Sequence, residues 1–402
     1  MNSLSLQAIR DAAAALHGVA HNTPLDRSST FSNMIGAPVY LKLENLQKTG
    51  SFKLRGAYNK IHSLDEVEKK RGVIAASAGN HAQGVAYAAS HAGIRSVIVM
   101  PETAPLSKVS ATKGYGAEVV LAGTSYDEAF ARAQELEQEQ GLTFVHAFND
   151  DQVMAGQGTI GLEILCELPE LSTVVVPIGG GGLIAGVATA IKSIAPQVRV
   201  VGVQAAGADA MAQSKQAGFL TSTAIASTIA DGIAVKSPGD RTFKVIQQVV
   251  DEIVTIDDEA IAAAILMLLE RGKLMVEGAG AVGLAALLNG KVAATGPVAC
   301  IISGGNIDVN FIARIIERGL VKAGRRSIIT TRVPDRPGML QKMLSVIAGS
   351  KGNVLHVYHD RLNHSVPLGQ CEVQVSMETR DKEHTAEIIV ALQKEGYCVA
   401  KN

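Results

Sequence analysis

The chain has 402 residues, long enough for two or three domains at ~100–200 residues each. Hydrophobic residues make up 47% and charged ones only 19%, against ~25% in an average soluble protein, so a large buried core is required and disorder is excluded. Lysine plus arginine (37) nearly cancels aspartate plus glutamate (38), which leaves no net field to attract nucleic acid or an anionic membrane and points to a small-molecule ligand.

The opening segment acquires an acid at Asp11 and has no basic stretch ahead of an apolar one, unlike an export signal. Cys166, Cys300, Cys371 and Cys398 are far apart and show no CxxC spacing, so neither a disulfide framework nor a zinc site is expected and the cytoplasm fits best. Apolar, β-branched runs at 73–76, 96–100, 118–121, 144–147, 173–178, 198–203 and 298–302 predict strands, separated by helix-like segments such as 126–140. That alternation predicts an α/β fold with parallel sheets covered on both faces. The charge-free stretch 171–191 is long enough to span a bilayer, but Pro177 and four glycines break it into strand, turn and helix. Past about residue 323 the order changes: strands at 327–333, 354–360, 371–378 and 397–400 with helices at 339–348 and 385–394 read as βαββαβ, a ferredoxin-like α+β domain. Leu340, Met343, Leu344 and Ile347 give its first helix one apolar face, and Cys371, Val373, Val375 and Met377 alternate inward on a strand. Basic Lys322, Arg325 and Arg326 mark a linker, so domains are expected at 1–322 and 323–402.

Ligands of parallel sheets bind beyond the carboxyl ends of the strands, and three of those ends are glycine-rich. Gly179, Gly180, Gly181 and Gly182 follow one strand and lead into a helix near Leu183, so backbone N–H groups and the helix dipole converge on a phosphate. A triphosphatase loop is disfavoured because no Lys-Ser/Thr follows. Gly180, Gly182 and Ala185 satisfy a dinucleotide fingerprint, yet Gln204 stands where the ribose acid is wanted; tight helix packing on the sheet remains a third reading. Upstream, Ser51 reads as an N-cap, placing Lys53 in the first turn of a helix, where the dipole and Arg55 favour a neutral amine able to form a Schiff base. The bland alternative is a solvated surface ammonium. Phe52 either covers an aromatic cofactor or belongs to the core.

Ser51-Phe52-Lys53-x-Arg55-Gly56-Ala57, then Ser77-Ala78-Gly79-Asn80-His81-Ala82-Gln83-Gly84, the four glycines and Ser303-Gly304-Gly305-Asn306 occur in that order. Over about residues 5–320 the chain thereby resembles the fold-type II pyridoxal-phosphate enzymes, most closely the threonine dehydratases (threonine ammonia-lyases). Asp335-Arg336-Pro337-Gly338-Met339-Leu340, between a strand and a helix, makes 326–402 similar to an ACT regulatory domain. The resemblance implies a tryptophan synthase β-like catalytic domain with a smaller subdomain, about 50–148, inserted in it. It implies pyridoxal 5'-phosphate bound by Lys53 as Schiff-base lysine, its phosphate on Gly179 to Gly182 and the Leu183 amide, Phe52 over the ring, Asn80 on the phenolic oxygen and Ser303 facing the pyridine nitrogen. A hydroxyl there suits eliminations that need only a modest electron sink. The substrate carboxylate is implied on Ser77, Ala78, Gly79, Asn80 and His81, with L-threonine giving 2-oxobutanoate and ammonia and L-serine giving pyruvate. Related serine racemases carry a second serine where this chain has Ala78, and metal-binding acids where it has Gln204 and Ala210, so dehydration without a divalent metal is expected. The tail implies isoleucine or valine bound by Asp335, Arg336, Pro337, Gly338, Met339 and Leu340 between paired copies, hence a homo-oligomer, dimer or tetramer; a domain used only for assembly is the alternative. His356, His359 and His364 read as surface polar residues rather than metal ligands. A serine dehydratase or racemase-type enzyme, an NAD-dependent dehydrogenase with an ACT tail, and a non-catalytic amino-acid sensor remain as rivals.

Overall fold

Short β-branched runs that are apolar on both faces can be satisfied only inside a sheet covered on both sides, and the chain builds two such sheets. The structure, a computed structural model, describes residues 4–362 and 365–401. It divides into two compact units, Met1–Ile307 and Asp308–Asn402.

In the first unit β1 (Leu25–Arg27), β2 (Val39–Lys42), β7 (Thr173–Pro177), β8 (Arg199–Ala205), β9 (Glu252–Ile256) and β10 (Val298–Ile301) form a six-stranded sheet in the order β1-β2-β10-β7-β8-β9. Only the β1–β2 pair is antiparallel. Every residue of β7 and β10 is buried, as the central position of these strands requires. β3 (Val73–Ala76), β4 (Ser96–Met100), β5 (Glu118–Leu121) and β6 (Thr143–Phe144) form a second, fully parallel sheet in the order β5-β4-β3-β6. Its two faces are covered by separate apolar clusters, one around Leu54, Ala82 and Ile98, the other around Ile74, Val97 and Leu136. The carboxyl ends of β3, β7 and β10 lead into Ser77, Gly179 and Ser303.

The expected strands are present, with two differences. The run expected at 144–147 stops at Phe144, because the His146 Nδ1 accepts the N–H groups of Phe148 and Asn149 and curls the chain into a turn. β1, β2 and β9 were not expected; in β2 the fully buried Lys42 interrupts the apolar signal. Among the described residues, no helix is long and apolar enough to cross a membrane.

In the second unit β11 (Arg326–Pro334), β12 (Asn353–Asp360), β13 (Gln370–Glu378) and β14 (Val399–Lys401) form an antiparallel sheet in the order β12-β13-β11-β14. Cys371, Val373, Val375 and Met377 point into a core shared with Met343 and Ile347 of one helix and Ile388 and Leu392 of another, as the alternation requires; Leu340 and Leu344 are only partly buried. This four-stranded βαββαβ unit fits an ACT-like domain. The boundary falls at 307/308 rather than 322/323. The helix Val309–Lys322, capped by the Asp308 side chain, belongs with β11, to which Glu317 is tied through the guanidinium of Arg326 at 3.1 Å.

Candidate active site

Lys53 opens the helix Lys53–His62. The N-cap is Phe52 rather than Ser51: the Ser51 hydroxyl is buried, has no hydrogen-bond partner, and its backbone bridges to Gly304. Arg55 does not act on Lys53 as the sequence suggested. Its guanidinium is buried and neutralised by Glu44 at 2.8 Å and Glu163 at 2.5 Å. Burial is what lowers the Lys53 amine, from 10.5 to about 8, with the charge of Glu277 opposing it. The amine donates to the Ala147 carbonyl at 3.1 Å and stands 5.4 Å above the Phe52 ring.

Lys53 faces a cavity of about 620 Å³ that also takes in Ser77 to His81, Gly179 to Leu183 and Ser303. Thus Phe52, Lys53, the Ser77 turn, the glycine loop and Ser303 meet at one place, whereas Ser51, Arg55, Gln204 and Ala210 do not line it. At the glycine loop, Gly181 has φ +98°, a left-handed conformation that side chains resist, and the helix Gly182–Ile194 begins immediately after it. Phe148 packs so closely that a Cβ on Gly180 would lie 2.4 Å from its ring and one on Gly182 would lie 2.9 Å from its main chain. The loop therefore passes only as glycine, with the unpaired first N–H groups of the helix at the cavity. A phosphate fits this cradle, and the aldehyde of pyridoxal phosphate fits the lowered amine of Lys53.

Asn80 begins the helix Asn80–His91. Its Oδ1 accepts from Asn306 Nδ2 at 2.8 Å and its Nδ2 donates to Glu277 Oε1 at 2.7 Å. With its oxygen occupied, the amide offers the cavity only its remaining N–H, which suits an acceptor such as a phenolic oxygen. Ser77 Oγ accepts the Gly79 N–H at 3.2 Å and so shapes the turn before the helix. The His81 imidazole is committed elsewhere, bonded to the Val145 carbonyl at 2.8 Å and pulled down to about 3 by burial and by Lys53. It offers an anion its main-chain N–H rather than its ring. The buried Gln204 amide joins the Ala208 carbonyl at 3.1 Å and the Ala212 N–H at 2.7 Å.

Glu277 is the residue that sequence reasoning missed. It is 5% exposed and lines the cavity, and burial, reinforced by Asp231, pushes its carboxyl up to about 7. The available signal was an isolated acid ahead of Gly278-Ala279-Gly280 at a helix start. Lys108 and Asp231, paired at 2.9 Å, and Phe148 also line the cavity without any local motif.

In the second unit, Asp335 to Gly338 connect β11 to the helix Met339–Gly349, and Gly338 has φ +86°. His356 is exposed as expected, but His359 is half-buried and bonded to Cys371; His364 lies outside the described residues.

Residues 17–304 match the family described as pyridoxal-phosphate dependent enzyme. An L-threonine ammonia-lyase of Thermotoga maritima is 52% identical over 394 residues, 98% of each chain. The solved threonine deaminase isoform 2 of Solanum lycopersicum, in its processed form, has a TM-score of 0.75 at 40% identity, over 77% of this chain and 87% of that one. Maize serine racemase also has a TM-score of 0.75, at 38% identity, over 80% of this chain and 99% of the other.

Proposed function

The chain belongs to the pyridoxal-phosphate-dependent enzymes of fold type II, and from that premise we propose that it is a cytoplasmic threonine ammonia-lyase. It converts L-threonine to 2-oxobutanoate and ammonia, and L-serine to pyruvate and ammonia. The observation that carries this reading is the Lys53 amine, lowered by burial, facing the four-glycine helix entrance across one cavity.

With pyridoxal phosphate bound, Gly179 to Gly182 and the Leu183 amide would hold its phosphate, Lys53 would hold its aldehyde carbon, Asn80 would donate to its phenolic oxygen, and Phe52 and Ser303 would serve the ring and its nitrogen. When bound, the cofactor supplies an electron-withdrawing conjugated ring that stabilises negative charge at the substrate α-carbon. The main-chain N–H groups at Ser77 to His81 bind the α-carboxylate. The Lys53 amine, set free when the substrate's own amine takes its place, removes the α-proton, and its burial, which lowers it to about 8, favours the neutral form that this step needs. Glu277 fixes the Asn80 amide through its 2.7 Å hydrogen bond.

The serine racemase likeness raises a second reading, racemisation. Ala78 weighs against it, because a methyl group on the cavity wall cannot return a proton to the opposite face of the α-carbon. The second unit binds isoleucine or valine at Asp335, Arg336, Pro337, Gly338, Met339 and Leu340 and restrains the first in a dimer or tetramer. A coupled assay of the cofactor-loaded protein is the test. It should produce 2-oxobutanoate from L-threonine and pyruvate from L-serine, with little D-serine; protein loaded with cofactor but producing neither keto acid would overturn the reading.

A further inference from the structure

β-Pairing places Val333 opposite Cys371 and His359 opposite Val373. The N–H of Asp335 continues the ladder to the Gly369 carbonyl at 2.9 Å. Because side chains alternate across a sheet, Asp335, two residues beyond Val333, shares the face of Cys371, and His359 lies diagonally beside it. A carboxylate oxygen, an imidazole nitrogen and the thiol sulfur here all lie within 4.8 Å of one another. The His359 Nε2 and Cys371 Sγ are 2.8 Å apart.

We propose that Asp335, His359 and Cys371 form a binding site for a borderline-soft divalent cation, zinc being the representative, independent of the chemistry at Lys53. Thiolate and imidazole select zinc-like ions over calcium or magnesium, which take oxygen ligands. Metal–ligand bonds of ~2.0–2.3 Å in a tetrahedron separate the ligand atoms by roughly 3.3–3.8 Å, so His359 Nε2 and Cys371 Sγ must part by about 0.5–1 Å and no pair of ligand atoms has to close by more than about 1.5 Å. Three protein ligands leave the fourth position to water. The ligands grade from Cys371, 1% exposed, through half-buried His359 to exposed Asp335, which gives an ion a path inward from solvent.

The site already draws positive charge: Arg361 Nη2 is 3.1 Å from Asp335 Oδ1. That arginine side chain is 63% exposed, so it can swing aside, and it contacts one of the two carboxylate oxygens. Cation binding converts the thiol to thiolate and releases one proton to water. The sequence hid the site because residues 335, 359 and 371 follow no ligand spacing, and only strand pairing brings them together.

The test is equilibrium dialysis of the full-length, cofactor-loaded protein against zinc, followed by metal analysis, and repeated with cobalt to read its thiolate charge-transfer absorption. One zinc per chain is expected in the native protein. D335N and H359Q, both outside the fully buried core, should each weaken binding at least about tenfold, since losing even an outer-shell partner of a metal ligand commonly costs that much. C371S should abolish the cobalt–thiolate band, whereas C166S and C398S, at exposed cysteines, should retain it. Absence of zinc from the native protein would overturn the proposal, as would equal binding by D335N and H359Q.

Discussion

The burial that makes the Lys53 amine reactive also costs stability. Its folded value of about 8 lies below the unfolded 10.5, so below pH 8 the folded chain bears the full cost of a charged, desolvated amine, about 3 kcal/mol. Between pH 8 and 10.5 the folded state releases its proton first, and stability from this group rises with pH. Lys53→Met should therefore abolish turnover yet stabilise the cofactor-free chain by up to about 3 kcal/mol at pH 7, with the gain vanishing towards pH 10.5 in urea unfolding. Glu277 runs the other way. Its folded value of about 7 exceeds the unfolded 4.5, so its cost is absent below pH 4.5, grows as pH rises to 7 and is full above that. Glu277→Gln should match the native chain near pH 4 and exceed its unfolding temperature at pH 8, while lowering kcat by loosening Asn80 from its acceptor. The third residue is Ala78. Ala78→Ser places a hydroxyl on the cavity wall, and chiral chromatography should then detect D-serine formed from L-serine; none above the native background would show that this position does not decide between elimination and racemisation.

At the scale of the element, the Lys53–His62 helix is held by charge rather than by a cap. Arg55 bonds Glu44 and Glu163, Lys42 bonds Glu163 at 2.7 Å, and Thr23 Oγ1 donates to Glu44 at 2.5 Å, all around fully buried Arg55, Lys42 and Glu44. Removing one partner leaves a buried charge uncompensated, so Arg55→Met should destabilise by about 3–5 kcal/mol in denaturant titration, and adding Glu44→Gln should recover part of the loss. This network explains what the sequence did and did not disclose. Local signals located the glycine loop, the Ser77 turn, Ser303 and Lys53, because each stands at a strand end or helix start that pattern alone reveals. The role of Arg55 was misread, since its acidic partners lie 11 and 108 residues away. Glu277 was missed for the same reason: a carboxylate becomes informative only once burial raises it, and burial is a property of the packed chain. Ser51 looked like a cap by residue type, but its backbone is taken by Gly304 in a bridge that no local reading anticipates.

At the scale of the molecule, each unit has its own core, one built on the mixed six-stranded and parallel four-stranded sheets and the other on a four-stranded antiparallel sheet. The division at 307/308 matters for any test of regulation. A chain cut at the expected linker keeps the helix Val309–Lys322, in which Ile312 and Ile315 are buried, but its acid Glu317 loses Arg326. Ending the chain after Ile307 removes the second unit whole. If that unit carries the effector site, the shortened protein should still convert threonine but lose inhibition by isoleucine or valine. A full-length variant must agree with it. Gly338 has φ +86° and open space around its α-carbon, so Gly338→Ala adds strain of roughly 1–2 kcal/mol to the connection without a clash. That variant should keep native threonine turnover in the absence of effector and require more isoleucine or valine for half-inhibition, about tenfold more if the whole strain is felt on binding. Unchanged inhibition in both the shortened chain and Gly338→Ala would move the effector site away from Asp335 to Leu340 and out of the second unit.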